Sequence, residues 1–117
     1  MHNFKELKVW QKSIDLTTEI YSITKNFPAD EKYGLTSQIR RAAVSVPSNI
    51  AEGAGRKSNK EFRHFLSISL GSVFELETQV IVASRLNFIS EANFSDIQSR
   101  ISEIQKMVFS LEKSIIV

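Results

Sequence analysis

Phe94, Ile97, Ile101, Ile104, Val108, Leu111 and Ile115 follow one another at intervals of three and four without a miss. A strand would scatter such a series over both of its faces, whereas an α-helix gathers it into one seam. Alternating threes and fours are the spacing of a helix packed nearly parallel to a neighbour. Ser90 reads as its N-cap, with Glu91 near the positive end of the helix dipole. A helix with one long apolar seam needs other helices against it.

Three further segments supply them, and nothing reads as a strand. The first covers about Lys5 to Asn26 and carries two apolar stripes. One runs Leu7, Trp10, Ile14 and Tyr21; the other runs Val9, Leu16, Ile20 and Ile23 and continues to Phe27. Two stripes make either one wide buried face or one face for the core and one for a partner chain. Pro28 ends this helix, because the residue before a proline is pushed out of the α region. The second helix opens after Pro28-Ala29-Asp30 and buries Leu35, Ile39, Ala42, Ala43, Val46 and Ile50. Pro47 lies inside it and cannot donate to the carbonyl of Ala43, so a kink is expected there. Ser45, Ser48 or Asn49 would offer local polar partners, and Gly53 and Gly55 stop the helix. The third helix starts with Asn59 as N-cap and reaches about Leu86, with Asn87 ending it. Its seam is Phe62, Leu66, Ser69, Val73, Leu76, Val80 and Ala83, and the small-residue run Ser67–Ser72 lets another backbone approach. Helices this long joined by short loops form an all-α, antiparallel up-down-up-down four-helix bundle with a proline-kinked second helix. The whole chain, residues 1–117, is a single domain.

Composition supports a globular chain and removes several chemistries. Hydrophobic residues make up 42% and charged residues 24%, with two prolines and four glycines, which is neither a disordered nor a fibrous composition. No cysteine is present, so disulfides, thiolate metal sites and cysteine nucleophiles are excluded. Charged residues spread through the first twenty positions leave no apolar run for a signal peptide, and no stretch approaches a membrane span. A cytoplasmic protein without membrane contact is the expectation.

Gly53-Ala54-Gly55-Arg56-Lys57-Ser58 invites a phosphate-loop reading that fails on inspection. A Walker loop needs glycine where Arg56 and Ala51 stand, and a strand in front where this chain has a helix. A dinucleotide fingerprint fails with Ser58 at its third glycine. His2 and His64 have no ligand-spaced partners, and no Glu-x-x-His motif of a di-iron bundle occurs. No catalytic constellation, metal site or cofactor is expected. Glu75 and Glu77 point to different faces, while Glu52 and Glu75 can approach each other across the second and third helices. Gln38, Ser45, Ser48, Asn49, Glu52 and Glu75 are read as a structural polar network around the proline, bonded across helices or across subunits.

The net charge of +2 is unevenly distributed. Arg40, Arg41, Arg56, Lys57, Lys60 and Arg63 face only Glu52 and Glu61 in the same stretch, a net +4 against −2 for the rest. Such a zone is either a solvated helix end and loop or an attractor for phosphate or another acidic surface. No aromatic platform is interleaved with it, since Phe62 and Phe65 fit the core.

The run Gln38-Ile39-Arg40-Arg41-Ala42-Ala43-Val44-Ser45-Val46-Pro47-Ser48-Asn49-Ile50-Ala51-Glu52-Gly53 resembles the signature of the 23S ribosomal RNA intervening-sequence proteins. The flanks agree: Phe4 through Trp10-Gln11, Phe27-Pro28, Glu31, Tyr33-Gly34-Leu35, Glu61-Phe62, Phe65-Leu66, Gly71-Ser72 and Glu75-Leu76-Glu77-Thr78-Gln79. The resemblance implies a bundle assembling into a ring-like homopentamer. It also implies kinship with the accessory variability determinant of diversity-generating retroelements, a basic pentameric barrel that binds nucleic acid and a reverse transcriptase. The expected function is therefore a non-enzymatic homo-oligomer that binds RNA or DNA, or serves as a scaffold, through the six basic residues. The alternative is an adaptor that docks a partner protein, with those residues engaged in ion pairs between subunits.

Overall fold

The computed structural model describes residues 2–117. Among these are four α-helices and no strand: α1 (Lys8–Thr24), α2 (Leu35–Ala54), α3 (Asn59–Arg85) and α4 (Glu91–Ser114). Short 3-10 turns at Phe4–Glu6 and Ala29–Glu31 precede α1 and α2. The expected start of the first helix at Lys5 is thus corrected to Lys8, Phe4–Glu6 being wound as a 3-10 turn and Leu7 extended.

Each helix packs on its sequence neighbours and α4 packs back on α1. The molecule measures 44 × 24 × 20 Å, its long axis matching the 27 residues of α3 at about 1.5 Å each. The core is built from the middle of the seams read from the sequence, whereas Leu35, Phe94, Leu111 and Ile115 are only partly buried against it. Val9, Leu16, Ile20, Ile23 and Phe27 meet Ile39, Ala42, Ala43, Val46 and Ile50, and these meet Phe62 through Ala83 and Ile97 through Val108. The second stripe of α1 is the core stripe. In the first, Leu7, Trp10 and Ile14 are half-buried and Tyr21 is exposed, with the Trp10 ring edge-on to Phe4 at 5.1 Å between centroids.

Residues joined across α2 and α3 run in opposite order. Ser45 Oγ lies 2.8 Å from Ser72 Oγ, Ser69 Oγ donates to the Val46 carbonyl at 2.9 Å, and Gly53 abuts Phe65. The expectation that Gly53 stops α2 is corrected, since the helix continues through it to Ala54, and Gly55 alone serves as the C-cap. Its role is close approach: a Cβ there would stand 2.6 Å from the Phe65 Cβ.

Pro47 leaves α2 unbroken. The carbonyl of Ala43, four residues earlier, receives the Thr17 hydroxyl of α1 at 3.1 Å. That proton is shared with the Ser13 carbonyl at 2.7 Å. The partner is therefore a side chain of the neighbouring helix and not Ser45, Ser48 or Asn49; Asn49 instead donates back to Ser45, at 2.8 Å to its carbonyl and 3.0 Å to its hydroxyl.

The N-cap of α3 is Ser58 and not Asn59. Its hydroxyl accepts from the Glu61 N–H at 3.1 Å and donates to the Glu61 carboxylate, also at 3.1 Å, an arrangement that Asn59 stands one residue too late to make. Ser90 caps α4 as expected, accepting from the Asn93 N–H. Asn87 ends α3 with φ of 62°. Phe88 N–H donates to the Ala83 carbonyl and Asn87 N–H to that of Ser84, the Schellman pair that satisfies a helix end. By length and composition α3 passes for a membrane span, correcting the expectation that no stretch would: an 18-residue window has a mean hydropathy of 1.4. Only 28% of that window is buried in the bundle. Phe, Ile, Leu and Val occupy its outer face as well as its seam, between serines that weigh little on a hydropathy scale.

Candidate nucleic-acid interface

The six basic residues separate in space. Arg40 and Arg56 are sixteen positions apart, Arg56 lying two residues past the end of α2, so about 24 Å of helix axis divides the two sets. The first set is Arg40 and Arg41. Arg40 Nε donates to Thr24 Oγ1 at 2.8 Å and its Nη2 to the Tyr21 carbonyl at 3.3 Å, with the guanidinium 4.6 Å from the Tyr21 ring centre. The last turn of α1 has no basic residue of its own, and Arg40 brings the cation its carbonyls favour. Arg41 is exposed and has no carboxylate partner among the described residues.

Arg56, Lys57, Lys60 and Arg63 form the second set, on the α2–α3 loop and the first turns of α3. Arg56 is not the idle loop residue expected from the sequence. Its Nη2 lies 2.8 Å from Glu52 Oε1, and its guanidinium covers the Phe65 ring at 4.7 Å. Glu61 is engaged by Ser58, so both carboxylates of the stretch are committed. Lys57, Lys60 and Arg63 stand exposed without ion-pair partners among the described residues. Lys60, Arg63 and His64, at i, i+3 and i+4 on one helical face, line an open groove of about 300 Å³ with Ser67 and Glu112. Ser67 donates to that Glu112 at 2.6 Å.

The polar network is smaller than the sequence suggests. Ser45 and Asn49 belong to it, joined by Ser72, whereas Gln38 and Ser48 are exposed and make no side-chain hydrogen bond among the described residues. Glu52 and Glu75 do not approach. Glu52 lies near the start of α3 with Arg56, whereas Glu75 lies one turn beyond Ser72, toward the opposite end. Besides Glu112, which takes the Ser67 hydroxyl, Glu77 bridges α3 and α4, accepting from Gln98 at 3.0 Å and Gln105 at 2.9 Å. The seven-residue interval between those glutamines, two helical turns, is the signal in the sequence that would have located it.

Aromatic rings also stand nearer the cations than the sequence order indicates. Tyr21 and Tyr33 share a groove with Arg40 and Arg41, which corrects the expectation of a basic zone without them. Among the described residues no three His, Asp or Glu side chains gather as for a metal ion.

Fold and surface together define an all-α four-helix bundle with basic side chains at two separate places. The chain belongs to the 23S rRNA-intervening sequence protein family, whose sequence model matches residues 5–110. It is similar in structure to a protein of unknown function from the S23 ribosomal protein family of Bacteroides thetaiotaomicron VPI-5482, with a TM-score of 0.83 and 24% identity. That match covers 91% of this chain and 96% of the other, and it bears on the fold alone. No curated protein matches the chain.

Proposed function

We propose that the chain is a non-enzymatic, cytoplasmic homo-oligomer, a ring of five subunits, that binds RNA or DNA electrostatically and without a cofactor. The observation that carries the reading is the exposure of Lys57, Lys60 and Arg63 beside two carboxylates already engaged. Repeating that set around a ring multiplies the phosphates one assembly can neutralise. Self-association is supported by the outward apolar residues of α3, Ile68, Phe74 and Val82. The kinship with the retroelement accessory protein belongs to the same reading. So does the arrangement of the bundle as antiparallel, up-down-up-down, supported by the order of the joined pairs, with α2 bending at Pro47.

The test is Lys57→Glu combined with Lys60→Glu, which spares the Arg56 contact with Phe65. Native mass spectrometry reads assembly, and anisotropy titrations read binding to single-stranded and duplex RNA and DNA. Binding lost with assembly intact supports the reading, and log affinity of the parent should fall with log salt by about 0.7–0.9 per phosphate contact. A monomer at micromolar concentration removes the ring.

A second reading, an adaptor that docks a protein partner, is favoured by one observation. Between α3 and α4 an open groove of about 550 Å³ is flanked by Phe74 and Phe109, 52% and 53% exposed, beside Gly71. Absence of nucleic-acid binding at low salt would select it.

A further inference from the structure

The α1–α2 end of the bundle gathers groups that lie apart in the sequence. Tyr21 comes from α1, Lys32 and Tyr33 from the connector, and Arg40 and Arg41 from α2, and together they line an open groove of about 380 Å³. Thr36 and Ser37, from the first turn of α2, add two hydroxyls. The N–H groups of both residues have no acceptor among the described residues, whereas that of Leu35 is taken by Glu31 Oε1 at 3.0 Å. A second groove of about 320 Å³ shares Lys32, Thr36 and Arg40 and adds Lys25. The nearby carboxylates Asp30 and Glu31 line neither groove.

Two features set this place apart from a merely charged surface. Tyr33 is 89% exposed, with the Lys32 ammonium 5.5 Å from its ring centroid. A ring so open is a stacking platform, and every base presents a π-face. Arg40, conversely, is held by Thr24 and the Tyr21 carbonyl, so a fork with donors to spare is already oriented beside the exposed Arg41.

We propose that this groove binds single-stranded nucleic acid, with a backbone phosphate on Arg41, Lys32 and the free edge of Arg40, and one base stacked on Tyr33. The inference rests on the nucleic-acid reading above and adds a second, chemically different point of contact. The α2–α3 junction offers phosphate contacts, whereas this end also offers a ring for a base. Single strands are selected because a duplex has its base faces already stacked.

The experiment titrates labelled single strands of RNA and DNA, and a blunt duplex of the same sequence, against wild type, Tyr33→Ala, Tyr33→Phe and Arg41→Gln. Tyr33→Ala should weaken single-strand binding by about tenfold or more and leave duplex binding unchanged, while Tyr33→Phe keeps wild-type affinity. Arg41→Gln should weaken both and lower the salt slope by about one contact. Both positions are exposed, and circular dichroism checks that every variant keeps its helices. Tyr33→Ala binding single strands as wild type does overturns the stacking site, and if Lys57→Glu with Lys60→Glu still abolishes binding, the wider reading survives alone. Competition by inorganic phosphate as strong as by a nucleoside monophosphate shows an anion site only and overturns the base contact. Wild type binding no nucleic acid at low salt overturns both.

Discussion

The hydroxyl of Thr17 lies 3.1 Å from the carbonyl of Ala43, the carbonyl that Pro47 deprives of its N–H. A proline inside a helix orphans an acceptor four residues back, and a buried orphan is costly. Here the neighbouring helix supplies the donor, so the irregularity in α2 becomes a contact between α1 and α2. Ala43 is 1% exposed, so its carbonyl is shielded from bulk solvent.

Thr17→Val should therefore destabilise the fold by about 1–3 kcal/mol, read by urea denaturation. The informative measurement is the cycle with Pro47→Ala. Restoring an N–H at position 47 returns a donor to Ala43, so Thr17→Val should cost measurably less in that background. Strict additivity would show that the hydroxyl does not answer the proline.

The two helical glycines should respond in opposite directions. Gly53→Ala drives a methyl against the Phe65 Cβ and the Phe62 ring, and should cost about 1–3 kcal/mol as α2 and α3 are forced apart. Gly71→Ala meets nothing within 4 Å and should stabilise by about 0.5–1 kcal/mol through helix propensity. Thermal unfolding of the two variants in one buffer checks the pair.

Asn87 holds a left-handed conformation at the end of α3. Asn87→Gly should be neutral or slightly stabilising, whereas Asn87→Ile should cost about 1–2 kcal/mol because a β-branched residue clashes with the following carbonyl there. Equal melting temperatures for the two would contradict a strained cap.

Ile104 is 1% exposed at the centre of the α4 seam, and Ile104→Ala should cost about 2–5 kcal/mol. Phe109→Ser, on the outer face of the same helix, should leave monomer stability within about 0.5 kcal/mol. If Phe109 lies in a contact between subunits, native mass spectrometry of that variant will show smaller assemblies.

The seams of α2, α3 and α4 were legible because apolar periodicity is a local property. Ile97, Ile101, Ile104 and Val108 are buried as their spacing requires, and Ser90 and Asn87 end their helices through groups a few residues away. The polar partners were not legible in the same way. Glu77 and Glu75 are two residues apart and chemically identical, yet one bridges two glutamines of α4 and the other faces solvent. Which carboxylate does so depends on the rotation of α3 about its axis and its register on α4, and neither is written in the local sequence.

The same division holds at the basic surface. Sequence alone placed the helices to within a few residues, the core stripes of α2, α3 and α4 and a cationic stretch from Arg40 to Arg63, since each follows from residue type and spacing along one chain, but left open which stripe of α1 is core. Tertiary structure alone decided that this stretch divides into two sets about 24 Å apart along the helix. It also decided that Arg40 and Arg56 are tied down while Arg41, Lys57, Lys60 and Arg63 are not, and that Tyr33 stands beside Arg41. The reason is geometric: burial along a helix repeats every 3.6 residues, whereas what a polar side chain meets is set by residues brought alongside from other helices.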